Sequence, residues 1–212
     1  MHIFSYFVTV WLKFFFLLTP FFALSFFLVM TRSFSSAAKT QLALRVTGAV
    51  IITCFVLYFF GNFIFSVFGI TLDAFRIGAG TILFLSAVDL VRGTKGGQVD
   101  EKDGDIAVVP LAIPVIVGPG TTGAILVMGA ETKDFNTMLI GCGALITAVL
   151  CVMTLLLLSN PIERIIGQRG LSILSKLTGL IISALAAQMV FTGVQNRSEE
   201  RRVGKECRSR WS

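Results

Sequence analysis

Six long apolar stretches separated by short polar connections dominate the chain. They cover residues 4–31, 46–68, 72–91, 107–129, 137–158 and 171–192. Each is close to the roughly 20 residues that a helix needs to cross about 30 Å of hydrocarbon. The apolar residues run continuously rather than alternating, and a sheet edge in lipid would leave backbone groups unpaired. The pattern therefore predicts an all-α membrane protein with six transmembrane helices. We expect residues 1–31 to form the first of them, because no signal-peptide cleavage site follows.

The second half of the chain repeats features of the first at an offset of 99 residues. Pro20 aligns with Pro119, and Asp89 aligns with Gln188. Four identities pair the third predicted helix with the sixth: Gly80 with Gly179, Ile82 with Ile181, Ala87 with Ala186 and Val91 with Val190. Three helices per copy make the second copy enter the membrane from the opposite side. We therefore expect two inverted three-helix repeats, at 1–92 and 107–196, joined by a polar cytoplasmic linker at 93–106.

The C-terminal segment 197–212 differs abruptly from the rest of the chain. Its sequence, RSEERRVGKECRSRWS, has no apolar periodicity and matches the in-frame translation of a common sequencing-library adapter. We interpret it as an assembly artefact rather than native sequence. Without it the net charge falls from +6 to +3. The basic balance of the whole chain therefore does not indicate a nucleic-acid partner.

Positive charge is unevenly distributed between the two predicted sets of loops. Eight Lys and Arg residues lie in the connections 32–45, 92–106 and 159–170, whereas the other loops carry only Arg76 and Lys133. Basic loops tend to stay on the cytoplasmic side of a membrane protein. We therefore predict that these three connections are cytoplasmic and that both termini lie outside, in a bacterial inner membrane.

Helix breakers are concentrated in the fourth apolar stretch. They are Pro110, Pro114, Gly118, Pro119 and Gly120. Each proline removes an amide donor, and in lipid the freed carbonyls need protein, water or a ligand as partners. We predict a break that lines a cavity, with Thr121 and Thr122 at the start of a half-helix whose free amides attract a carboxylate. A packing kink is the alternative.

The first helix contains the repeat partner of this break. Phenylalanines follow Thr19-Pro20, so the sequence predicts a proline kink without unwinding. Ser25, one turn later, either bonds to the backbone or faces a cavity. A site between two broken helices near the midplane is typical of inverted-repeat transporters. The candidate substrate-binding residues are Thr19, Pro20, Ser25, Gly118, Pro119, Gly120, Thr121 and Thr122.

Few charged residues fall inside the predicted helices. Lys13 is expected to reach the outer interface, and Asp73 to form a structural ion pair with Arg76. Asp89 lies near the cytoplasmic end of the third helix, where a surface ion pair with the following arginine is favoured. With its repeat partner Gln188 it is the candidate for gating or coupling.

No set of residues points to catalysis or to a bound metal or cofactor. The four cysteines lack metal-ligand spacing, and the single histidine lies at position 2. No nucleophile, base and orienting group can be assembled from motifs. We therefore expect a protein that is not an enzyme, with no metal and no cofactor. Its expected partners are a small solute and the lipid bilayer, and a homo-oligomer stays open.

The stretch PLAIPVIVGPGTTGAILV at 110–127 resembles the MarC family of six-helix inner-membrane proteins, which is grouped with the LysE-type exporters. FGITLDAFRIGAGTILFLSAVDLV at 68–91 and LSKLTGLIISALAAQMVFTGV at 174–194 support the resemblance. It implies a multi-pass membrane protein, and some members are proposed to transport neutral amino acids. The family often carries Asp/Asn-Pro-x-Gly-Asn-x-Pro in helix one, whereas residues 19–25 here keep only the first proline. This departure implies a different or more apolar solute.

Three functions fit this architecture. The first is transport of small solutes, which include neutral amino acids. The second is a flippase for a lipid or lipid-linked carrier, and the third is a membrane assembly factor that transports nothing. The Gly-Pro-Gly break and the repeat favour transport, whereas the phenylalanine-rich first helix would suit a lipid-facing groove.

Overall fold

The computed structural model describes residues 2–32, 34–93, 116–132 and 134–209. Every regular element in these ranges is an α-helix. The helices are α1 (His2–Leu17), α2 (Pro20–Met30), α3 (Ser36–Phe68), α4 (Leu72–Arg92), α5 (Pro119–Glu131), α6 (Phe135–Leu157) and α7 (Ser159–Ser209). The predicted linker from residue 94 onward, together with Pro110 and Pro114, lies outside the described residues.

Five stretches of the described chain, rather than the predicted six, are long and apolar enough to cross a membrane. They are Ile3–Met30, Ser36–Gly61, Leu72–Arg92, Phe135–Leu157 and Ser159–Glu199. The predicted fourth helix, 107–129, is described only from residue 116, and α5 within it has 13 residues. At 1.5 Å per residue such a helix covers about 20 Å, less than the hydrocarbon core. The described residues therefore form an all-helical membrane protein in which α5 is too short to cross the membrane by itself.

Cap residues move several helix boundaries away from the predicted ones. The Ser35 hydroxyl accepts a hydrogen bond of 3.3 Å from the first turn of α3, which begins at Ser36. Most of the predicted loop 32–45 is therefore helical. Gly69 and Gly93 end α3 and α4 with φ of 62° and 73°, a conformation that glycine adopts without steric cost.

The predicted loop 159–170 is also helical. α7 begins at Ser159, contains the sixth predicted helix and continues into the C-terminal segment. Pro161 lies in the first turn, where the missing amide is tolerated. Gly167, with φ 70° and ψ 166°, is not helical and separates two helices that meet at a kink within α7. The polar residues of this connection thus lie on two kinked helices rather than in a loop.

α4 and α7 pack against each other along most of α4, in antiparallel directions. A Cβ on Gly80 would lie 2.8 Å from the Val190 side chain, and a Cβ on Gly179 would lie 2.9 Å from the Val91 side chain. Both glycines therefore allow a backbone approach that a larger residue would block. The two contacts are related by the 99-residue offset, since Gly80 aligns with Gly179 and Val91 aligns with Val190. Replacing both residues of one contact by their repeat partners therefore gives the other contact.

Glycines on two faces of α5 allow it to pack against both α3 and α4. Gly120 lies against α4, where a Cβ would be 2.7 Å from the Leu83 Cα atom. Gly129 lies against the Tyr58 backbone carbonyl of α3. Nine of the 13 residues of α5 are buried. This short helix is therefore held inside the protein by backbone contacts that have no room for side chains.

The outer faces of the long helices carry large apolar side chains. Phe59, Phe63, Leu85 and Phe191 are each at least half exposed. A water-soluble protein rarely exposes so much contiguous apolar surface, whereas lipid tails cover it without cost.

The contact between Gly129 and Tyr58 gives a stability prediction. Gly129→Ala places a methyl group against the Tyr58 carbonyl, so we expect the free energy of unfolding to fall by roughly 1–3 kcal/mol, as for overpacked cores. Thermal unfolding of the detergent-purified protein measures the change. Gly78→Ala is the matched control, since nothing lies within 4 Å of a Cβ there. A Gly129→Ala protein with unchanged Tm would contradict the packing described here.

Candidate functional site

The first membrane span is interrupted at Thr19-Pro20. α1 ends at Leu17, α2 begins at Pro20, and Thr19 between them has φ 47° and ψ 55°. This left-handed conformation is strained for a β-branched residue. The predicted kink without unwinding is therefore wrong, because the chain leaves the helix for two residues. The break exposes carbonyl groups at the end of α1 that have no partner within the helix.

The hydroxyl of Thr121 in α5 closes this break. Thr121 Oγ1 donates a hydrogen bond of 2.9 Å to the Leu17 carbonyl, and the Thr121 side chain is buried. The bond thus connects the end of α1 to the first turn of α5. By contrast, Thr19 Oγ1 is buried without a hydrogen-bond partner anywhere in the described residues.

The second break precedes α5. Gly118 is extended, with φ −75° and ψ 173°, and Pro119 is the first helical residue. The Thr122 amide donates to the Gly118 carbonyl at 2.8 Å, which closes the first turn. Gly120 packs against the backbone of α4. Gly120 and Thr121 in the first turn of α5 are therefore buried, whereas Pro119 is exposed and Thr122 is half-buried.

A cavity of about 260 Å³ lies beside these breaks, between α1, α4, α5 and α7. We call it the Arg76 cavity. Its lining residues are Lys13, Leu17, Arg76, Leu83, Ala124, Val127, Met128, Glu131, Leu185, Gln188, Met189 and Thr192. Apolar walls with a few convergent polar groups are typical of small-molecule sites.

A network of charged groups forms one end of the Arg76 cavity. Arg76 Nη1 donates to Asp73 at 2.5 Å, and Arg76 Nη2 and Nε donate to one oxygen of Glu131 at 2.5 and 3.2 Å. Asn196 Nδ2 donates to Asp73 at 3.0 Å. The network ties α4 to α5 and α7. Arg76 is only 9% exposed, so two carboxylates are needed to offset the cost of burying its charge.

The other end of the cavity is apolar and lies at the level of the helix breaks. Leu17 and Leu83 form this floor and belong to a buried cluster that also contains Ile182 and Ala124. Because the Leu17 carbonyl accepts the Thr121 hydrogen bond, the floor is anchored to both broken spans. The cavity therefore extends from the charged network to the breaks and ends there.

The predicted site residues fall into three groups in the structure. Gln188 lines the Arg76 cavity, and Thr121 lies behind its floor. The remaining break residues do not line the cavity; they are Thr19, Pro20, Gly118, Pro119, Gly120 and Thr122.

Ser25 and Asp89 lie away from the Arg76 cavity. Ser25 is half-buried on α2, and Asp89 is exposed near the end of α4. Asp89 forms no ion pair with Arg92, although both residues are within the described part of α4. The expected surface ion pair is therefore wrong.

Sequence reasoning missed three charged residues of this cavity. The predicted ion pair of Arg76 with Asp73 is confirmed, but its place in a cavity was not foreseen, and Lys13, expected at the membrane interface, also lines that cavity. Glu131 was not considered, because it follows the predicted end of its apolar stretch. The signal that could have identified this cavity from the sequence is an ionisable residue near the end of a membrane helix, such as Arg76.

Comparisons with known proteins agree with these observations. The family model described as MarC family integral membrane protein matches residues 4–197. A UPF0056 membrane protein of Methanocaldococcus jannaschii is 32% identical over 90% of this chain and 97% of its own length. The UPF0056 membrane protein YhcE of Escherichia coli is 27% identical over 80% of this chain and 82% of its own. No solved structure matches the chain at a significant level. The predicted resemblance is confirmed, and the chain belongs to the MarC family of integral membrane proteins.

Proposed function

We propose that this protein is a multi-pass inner-membrane transporter of small solutes and that the Arg76 cavity is its outer vestibule. The observation that carries the proposal is the position of the cavity, which runs from a charged network at the helix ends to two broken spans. Broken helices inside lipid need protein or water around their backbone, and transporters place their substrate sites at such breaks. The Thr121–Leu17 hydrogen bond forms the closed end of this route.

The chemistry of the cavity favours a zwitterion with a small apolar side chain. Lys13 forms no ion pair with any described residue, so its ammonium group is available to a carboxylate. Glu131 uses one oxygen for Arg76 and is about half exposed, which leaves the other oxygen for an ammonium group. The aliphatic floor suits a short side chain. Small neutral amino acids combine a carboxylate, an ammonium group and a short side chain.

The inverted repeat is part of the same proposal. The reciprocal contacts of Gly80 with Val190 and of Gly179 with Val91 support it, because a two-fold axis between two copies produces paired contacts of this kind. Six spans follow when the residues before α5 complete the fourth one. With the basic connections on the cytoplasmic side, both termini and the charged end of the cavity lie outside.

Uptake into proteoliposomes tests the proposed function. We expect saturable uptake of at least one of alanine, glycine and serine, each labelled, by the purified protein. Translocation of headgroup-labelled lipid is measured in the same vesicles. Lipid translocation without amino-acid uptake would contradict the proposal in favour of a flippase. Activity in neither assay would favour an assembly factor.

Lys13→Gln removes the proposed carboxylate partner without leaving an unpaired acid behind. A charge-assisted hydrogen bond is worth about 1.5–3 kcal/mol, so the KM for the transported amino acid should rise roughly tenfold or more. Lys39→Gln is the matched control, because Lys39 bonds only to exposed Asn160 at the other end of the bundle. Equal KM values for the two variants would show that Lys13 does not bind the solute.

Thr121→Val removes the hydrogen bond that closes the first break. A buried carbonyl without a donor costs about 1–3 kcal/mol, so we expect lower transport and a lower Tm. Thr81→Val is the control, since the Thr81 hydroxyl bonds within its own helix on an exposed face. Normal transport by both Thr121→Val and Gly120→Leu, each confirmed to insert into the membrane, would show that the breaks are not part of the transport route.

A further inference from the structure

Residues toward the other ends of α4 and α7 correspond to the lining of the Arg76 cavity at the 99-residue offset. The paired contacts of Gly80 and Gly179 relate these helices by a local two-fold axis, and the axis corresponds to the 99-residue offset. At the same offset, five cavity-lining residues have polar partners: Ala124 pairs with Ser25, Glu131 with Arg32, Leu185 with Ser86, Gln188 with Asp89 and Arg76 with Ser175. None of these five partners lines the Arg76 cavity itself.

Two of these repeat partners, Ser25 and Ser175, are polar residues in apolar surroundings. Ser25 is the single hydrogen-bonding side chain in α2, whose sequence is PFFALSFFLVM. Ser175 is 7% exposed, and its Oγ has no hydrogen-bond partner within the described chain. A buried hydroxyl without a partner is destabilising. A state of the protein in which Ser175 meets water or a solute would satisfy this group.

Asp89 adds a charge to this region. Its carboxylate is exposed and forms no salt bridge with any residue in the described ranges. The residue lies in the last turn of α4, on the side of the membrane opposite to Asp73 and Arg76 at the start of that helix. The two ends of α4 thus carry ionisable groups that are separated by the apolar floor of the Arg76 cavity.

One residue of the floor has its repeat partner in the same buried cluster. Leu83 and Ile182 are partners at the 99-residue offset, and both belong to the buried cluster that closes the cavity. A barrier made of two related residues presents an equivalent surface to each side of the membrane. Repacking of this cluster would therefore close one vestibule as it opens the other.

We infer that Ser25, Asp89 and Ser175 line a second vestibule, which opens to the cytoplasmic side when the Leu83–Ile182 barrier repacks. In this state Asp89, the repeat partner of Gln188, binds the ammonium group of the solute. The inference rests on the proposed function and adds to it the inner half of the route.

Thiol labelling from each side of the membrane tests the second vestibule. In a background in which the four native cysteines are replaced by alanine, Ser25→Cys, Ser175→Cys and Met128→Cys are exposed separately to a small charged membrane-impermeant methanethiosulfonate. Right-side-out and inside-out vesicles present opposite faces. We expect Met128→Cys, in the Arg76 cavity, to react from one side and both serine replacements to react from the other. Their rates should exceed that of Ile82→Cys by roughly tenfold or more, because a thiol in lipid forms little thiolate. Ile82 is exposed on the outer face of α4.

The outcomes separate the two proposals. If Met128→Cys reacts while both serine replacements match Ile82→Cys from either side, the second vestibule is overturned and the outer one stands. Reaction of the serine replacements from the same side as Met128→Cys would also overturn it. If Met128→Cys is unreactive, the proposed outer vestibule fails, whatever the serine replacements do.

Uptake by Asp89→Asn supplies an independent measurement. We expect amino-acid uptake to fall at least several-fold, while Met128→Cys labelling in the same variant stays unchanged. Asp134→Asn is the control, since Asp134 is an exposed acid at the start of α6 that makes no side-chain cap. Unchanged uptake in Asp89→Asn would overturn the role of this carboxylate.

Discussion

The hydrogen bond from Thr121 to the Leu17 carbonyl is the interaction on which the rest of the structure depends. In hydrocarbon a helix cannot stop and restart unless its free carbonyls and amides find partners, since each unpaired group costs several kcal/mol. The chain stops at Leu17 and restarts at Pro20, and a second helix begins at Pro119. Because one side chain at the second break satisfies a carbonyl at the first, the two breaks stabilise each other.

This requirement explains the glycines of α5. Thr121 reaches Leu17 only if the first turn of α5 lies deep inside the protein, and Gly120 and Gly129 allow that depth through backbone contacts with α4 and α3. The Arg76 cavity lies alongside this short helix, between it and α1, α4 and α7. Its charged end is stable because Asp73 and Glu131 share the Arg76 guanidinium. The breaks, the close packing and the cavity are thus consequences of one arrangement.

Local sequence patterns predicted the parts that depend on local physics. Apolar length identified the helices, and Pro119 between two glycines marked the start of α5. The predictions failed where distant residues decide. The left-handed Thr19 conformation depends on packing from other helices, and Glu131 became part of the site only through Arg76, 55 residues away. Similarly, the connection at 159–170 contains polar residues and glycines typical of a loop, yet the chain is helical on both sides of a kink at Gly167.

The central claim is that a small solute occupies the Arg76 cavity during transport. Protection of a cysteine in the cavity tests it most directly. Thr192→Cys places a thiol in the lining, and Phe191→Cys places one on the exposed outer face one residue earlier. The modification rate of each is measured with and without a saturating concentration of the amino acid that the proteoliposomes take up. The account predicts that the amino acid slows modification of Thr192→Cys several-fold and leaves Phe191→Cys unchanged. An equal rate at Thr192→Cys with and without a transported amino acid would contradict it.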